Sequence, residues 1–130
     1  MSQSEKENLG KLIRSYESGD YDQAIEVGRK FTKEFAHNGT GWNVLGLSYK
    51  ANGELDEAIK IFKFLIKALP KNAAYVSNLG NTYMLIGRIQ DGIQCFKKAL
   101  KLEPRLVNAI EALGLAYTEI GRDKDAAKCF

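Results

Sequence analysis

The chain has one histidine, one tryptophan, two prolines and two cysteines in 130 residues, and no run of 18 apolar residues. Each scarcity removes a class of function. A lone His37 leaves no cluster with metal-ligand spacing. The lack of a long apolar run leaves no membrane span. Residues 1–8 are polar, with Glu5 and Glu7, which is the wrong chemistry for a secretion leader, so a cytoplasmic protein is expected. Cys95 and Cys129 stand 34 residues apart. On successive equivalent helices they would lie about 10 Å from each other, too far for a disulfide, and packing as small hydrophobes is their expected role.

Catalytic chemistry is equally thin. There is no histidine pair, no cysteine placed beside the one histidine, and no phosphate-binding glycine loop. Glu111 and Glu119 are two helical turns apart, as ordinary solvated carboxylates often are. No cofactor and no enzymatic activity are expected. Charge is close to balanced, with 19 basic and 16 acidic side chains. Residues 39–72 carry five basic and three acidic groups, and residues 73–106 carry five and two. A nucleic-acid surface needs a denser basic stripe with stacking aromatics, so nucleic acid is not an expected partner.

What the chain does have is a period. Leu45, Leu79 and Leu113 are 34 residues apart, as are Gly46, Gly80 and Gly114, and Tyr49, Tyr83 and Tyr117. Phe62, Phe96 and Phe130 keep the same spacing, as do Pro70 and Pro104 and the glycines Gly19, Gly53, Gly87 and Gly121. Such a repeat signals a stack of supersecondary units, each too small to bury its own apolar face. Within a unit, Trp42, Leu45, Gly46 and Tyr49 share one helical face, and Asn52-Gly53 supplies a helix stop. Ala58, Ile59, Phe62 and Leu65 mark a second helix, which Pro70 ends. Asn72 is then a plausible cap for the next helix. Links this short force neighbouring helices antiparallel.

The small residues report on packing. Gly46, Gly80 and Gly114 fall inside helices, where glycine costs about 1 kcal/mol relative to alanine. A partner helix passing too close for a Cβ would explain that cost. Ala24, Ala58 and Ala126 hold the matching place on the second helices, where the third unit has Gly92, a change expected to loosen its helix.

These residues resemble tetratricopeptide repeats, whose pattern is W-x2-L-G-x2-Y, then A-x3-F, then P. The second unit reads Trp42-x2-Leu45-Gly46-x2-Tyr49, Ala58-x3-Phe62, Pro70. The third reads Leu79-Gly80-x2-Tyr83, Gly92-x3-Phe96, Pro104, and the fourth Leu113-Gly114-x2-Tyr117, Ala126-x3-Phe130. The resemblance implies an all-α fold, a right-handed α-solenoid of antiparallel helix pairs with about three and a half repeats. Their bounds are residues 5–38 (degenerate), 39–72, 73–106 and 107–130 (truncated), in one domain. The first unit departs from the pattern, with Lys11, Leu12 and Ser15 where the family has leucine, glycine and tyrosine. The fourth stops inside its second helix, as expected of a piece of a longer protein.

The resemblance also implies where a ligand would sit. First helices of such repeats line a concave groove that binds protein or peptide segments. The residues expected to bind there are Asn43, Leu47 and Lys50 in the second unit, Asn78, Asn81 and Met84 in the third, and Asn108, Glu111 and Leu115 in the fourth. Amides could hold an extended backbone and the apolar side chains could take its anchors. Some family members grip a C-terminal carboxylate with cationic groove residues. Here Leu9, Ile13, Ala74 and Asn78 stand at those places, so that clamp is not expected. Trp42, Tyr49, Tyr83 and Tyr117 match packing positions and are expected in the core rather than in an aromatic ligand cage. A protein-interaction scaffold is the resulting expectation. Alternatives are the substrate-recruiting repeat region of a larger enzyme such as a glycosyltransferase or sulfotransferase, and self-assembly into a homo-oligomer through exposed repeat ends.

Overall fold

The computed structural model describes the backbone of residues 1–128 and the side chains of residues 1–121, and every regular element among them is helical. The helices are α1 (Gln3–Glu17), α2 (Tyr21–Glu34), α3 (Gly39–Ala51), α4 (Leu55–Ala68), α5 (Ala73–Leu85), α6 (Ile89–Leu102) and α7 (Val107–Lys128). They form two compact units, Met1–Leu69 with α1 to α4 and a second that begins at Pro70 with α5 to α7.

Local chemistry sets the helix ends. The first helices begin on side-chain caps: Ser2 accepts from the Glu5 amide at 3.0 Å, Asn38 from Gly41 at 3.0 Å, and Asn72 from Tyr75 at 3.3 Å. They end at Gly19, Gly53 and Gly87, whose φ values of 84°, 81° and 82° close a left-handed cap that other residues resist. The Glu54 amide reaches back to the Tyr49 carbonyl at 2.9 Å, and Arg88 does the same to Tyr83 at 2.9 Å. Three-residue links then send α2, α4 and α6 back along their partners.

In the first unit, Leu9, Leu12, Ala24, Phe31 and Val44 form a core on which Ile13, Tyr16, Val27 and Phe35 pack. Phe62 of α4 is fully buried with its ring over Gly46, where an added Cβ would meet Cε1 at 2.8 Å. In the second unit Phe96 of α6 does the same to Gly80, at 2.7 Å. Gly92 does not leave the expected slack. The Met84 thioether fills it, 2.9 Å from where a Cβ on Gly92 would stand. A buried tie also joins α1 to the start of α3: Glu5 is 5 % exposed and accepts from the Asn38 amide at 2.8 Å. Asn38 thus caps α3 with its oxygen and binds Glu5 with its nitrogen.

One expectation needs correction. The break at Gly121 does not occur, and α7 runs without interruption from Val107 to Lys128. Continuing a helix gains one backbone hydrogen bond for each residue fixed, which offsets the cost of a glycine at position 121. The expected packing of Ala126, Cys129 and Phe130 lies outside the described side chains. Cys95 is half-buried, its Cβ 3.0 Å from where a Cβ on Gly80 would stand.

Candidate functional site

Helix α5 contains no charged side chain, from Ala73 to Leu85. Its sequence divides by period. Val76, Leu79 and Tyr83 are buried on one side; Ala74, Ser77, Asn78 and Asn81 recur at steps of three and four on another, where Ser77 is also buried. That second face meets the start of α7. A small cleft of about 60 Å³ opens there, lined by Ala74, Ser77, Asn78, Asn81, Leu106 and Asn108.

The cleft brings together three of the asparagines expected from the sequence. It has room for about two water molecules, which suits one amide group or a short side chain rather than a whole ligand. Carboxamides donate and accept, so the cleft can match either polarity of a peptide backbone. None of its lining residues titrates near neutral pH. Leu106 was not anticipated. It holds the turn into α7, its carbonyl accepting from Ala109 at 3.0 Å and Ile110 at 3.1 Å. The tract after Pro104 was the only sequence cue to a helix start there.

Other expected residues lie outside the cleft. Met84 is half-buried against Gly92. Glu111 is exposed on α7, and Leu115 is 67 % exposed on the same helix. In the first unit Asn43, Leu47 and Lys50 are half-buried along α3. Burial pushes the Lys50 ammonium below the usual lysine range. Leu9 is taken into the core, with Ile13 and Tyr16 packed on it, so this face is more closed than the sequence suggested. Burial first, and the neighbouring Tyr21 second, push the Tyr16 phenol above its ordinary range.

The first unit also holds a larger cleft that sequence reasoning missed. About 330 Å³ in volume, it is lined by Arg29, Thr32, Lys33, Trp42, Leu45, Tyr49 and Ile61. Beside it the Trp42 and Phe64 rings meet in a tilted contact, centroids 4.8 Å apart at 56°, and the indole N–H donates to the Ala36 carbonyl at 2.8 Å. Trp42 was legible as a packing residue; the space beside it depends on how α2 and α4 are set. Among the described residues no histidine, cysteine and carboxylate cluster could hold a metal, and no helix is long and apolar enough to cross a membrane.

Comparison with known proteins agrees with this architecture. Tetratricopeptide repeat models match residues 13–73 and 74–106, so the matches run unbroken from 13 to 106. The chain belongs to the tetratricopeptide repeat family. Among curated proteins no relative matches it. Among solved structures, the Sgt2 TPR domain from Aspergillus fumigatus is similar, with a TM-score of 0.89 at 14 % identity, covering 97 % of this chain and 85 % of that one. The first TPR of Spaghetti (RPAP3), bound to the HSP90 peptide SRMEEVD, gives 0.84 at 16 % identity, with 93 % and 96 % covered. The Yersinia enterocolitica type III secretion chaperone SycD, in complex with a peptide of the translocator YopD, gives 0.82 at 15 % identity, with 92 % and 96 % covered. At such identities the likeness concerns the fold. It is the all-α arrangement of helix pairs that the repeat implied.

Proposed function

We propose that this chain is a non-catalytic scaffold that holds an extended, largely uncharged peptide segment, with the α5–α7 cleft gripping part of its backbone. The convergence of Asn78, Asn81 and Asn108 on one small, uncharged cleft carries this reading. Similar folds seen with peptides, from RPAP3 and SycD, support the class of ligand. The chemistry of this chain argues for a different sequence preference from that of RPAP3. SRMEEVD is acidic, and α5 offers it no cation. Leu85 on α5 and Leu115 on α7 are exposed and available for apolar contacts.

A library of extended ten-residue peptides, titrated by fluorescence anisotropy, tests this. Peptides rich in small polar and apolar residues are expected to bind, and SRMEEVD to bind more weakly. Replacing both Asn78 and Asn81 by alanine removes two amide partners and is expected to weaken the best binder about tenfold, at about 0.5–1.5 kcal/mol per hydrogen bond. Unaltered affinity in the double variant would show that the peptide sits elsewhere.

A further inference from the structure

Two cations on α2 border an apolar cleft with no opposite charge to meet them. Arg29 and Lys33 are exposed, one turn apart, and line the cleft of about 330 Å³ formed by α2, α3 and α4. Among the described residues neither enters an ion pair, although the adjacent Lys30 pairs with Glu26 at 3.6 Å, and no carboxylate lines the cleft. Burial pushes the Tyr49 phenol above its ordinary range; Arg29 opposes that push, and Glu57 and Glu54 add to it. The charge of Arg29 is therefore felt inside the cleft. Both carboxylates are already engaged, Glu57 with Lys60 at 3.4 Å and Glu54 with the Asn52 amide at 2.9 Å.

The surface beside the cations is apolar. Leu45 and Tyr49 of α3 are buried, and Trp42 and Ile61 are half-buried. The polar groups of Thr32 and Trp42 are spent, the hydroxyl donating to the Gly28 carbonyl at 2.9 Å and the indole N–H to Ala36. Such a wall gains from an apolar side chain and offers little to a polar one. The cleft is much larger than the one between α5 and α7, and it suits an aromatic ring. A ring there can pack on the indole of Trp42 and lie against the guanidinium of Arg29.

Spacing selects the form of the occupant. Arg29 and Lys33 are four residues apart on one helix, about 6 Å along its axis. In an extended chain residues i and i+2 point to one side about 6.6 Å apart, and residue i+1 points to the other. An extended segment laid along α2 therefore sets two acids against the two cations and turns the residue between them towards Trp42 and Ile61. A small residue in the middle leaves that wall wet, so the central side chain has to be large.

We propose that the cleft of α2, α3 and α4 is a second docking site, for an extended acidic-aromatic-acidic segment of a partner protein. Arg29 and Lys33 take the two carboxylates, and Trp42, Leu45 and Ile61 take the ring. The site lies in the first unit and is opposite in chemistry to the uncharged cleft between α5 and α7, so one chain can hold two kinds of segment.

Trp42 is the only tryptophan in the chain, and its emission reads the cleft directly. The probe is a ten-residue peptide of glycine and serine with Glu-Phe-Glu at its centre, titrated to about 1 mM. The expected result is a saturable shift of the emission to shorter wavelength as water leaves the indole. Replacing the centre by Gln-Phe-Gln or by Glu-Ala-Glu should weaken binding about tenfold. Raising the salt from about 50 to about 500 mM should weaken Glu-Phe-Glu and leave Gln-Phe-Gln little changed. Arg29→Glu with Lys33→Glu, both on the exposed rim, is expected to lose Glu-Phe-Glu and to bind Lys-Phe-Lys instead. Asn78→Ala with Asn81→Ala should bind the probe as the original chain does, which separates this site from the α5–α7 cleft. The proposal is overturned if the emission stays unchanged throughout the titration or if Gln-Phe-Gln binds as tightly as the probe. It is also overturned if the charge-reversed variant keeps Glu-Phe-Glu or if the asparagine variant loses it.

Discussion

Gly46 in the first unit and Gly114 in the second occupy the same place in the 34-residue pattern, yet one is sealed and the other open. An aromatic ring lies against Gly46, and nothing stands within 4 Å of a Cβ placed on Gly114. The contrast separates two meanings of glycine in a helix. Its conformational cost is intrinsic and is present at both sites. Its benefit, the close approach of a second helix, exists only where that helix is in place. A repeat therefore encodes a contact in pairs of residues, and one member without the other is an exposed notch.

The largest expected effects come from removing the knobs. Phe62→Ala in the first unit and Phe96→Ala in the second each delete a fully buried ring, and each should cost about 3–5 kcal/mol in urea denaturation. Equal losses would mean that the two pairs are packed to the same quality; a markedly smaller loss in one would show that its core collapses around the cavity. The glycines come next. Gly46→Leu and Gly80→Leu force an overpacked contact and should destabilise by about 1–3 kcal/mol. Gly114→Leu should be neutral or stabilising by up to about 1 kcal/mol through helix propensity. If all three lost the same amount, the open face would not be open.

The smallest expected effect concerns Lys50. Burial lowers its pKa in the folded chain, so the unfolded chain binds more protons between that lowered value and the ordinary 10.5. Its contribution therefore disfavours folding at neutral pH and lessens as pH rises through the folded value. Lys50→Met should raise stability at pH 7 by about a few tenths of a kcal/mol. The gain should narrow in melts recorded towards pH 10, and a gain independent of pH would mean that packing rather than desolvation caused it.

How much was readable in advance follows from how each contact is encoded. Gly46, Gly80, Phe62 and Phe96 stood out because the period marks them twice. Gly41 did not, although a Cβ there would run into the ring of Phe31, because no glycine stands 34 residues on either side of it. Glu5 counted only as one acidic residue in a polar start, and only the approach of α1 to α3 makes it a buried partner of Asn38. Asn78 and Asn81 were expected on one groove-lining face from the family resemblance. Their meeting with Asn108 and Leu106 needed the turn after Pro104.

The sequence by itself determined the helix class, the cap at Asn72, the turns at Gly19, Gly53 and Gly87, and the pairing of α3 with α4 and α5 with α6. These depend on local backbone chemistry and on contacts that recur at one fixed separation. Tertiary structure alone decided that Met84 fills the space at Gly92, that α7 runs through Gly121, and that Gly114 faces open space. The physical reason is that a close contact requires two surfaces at once, and a sequence motif describes only one of them.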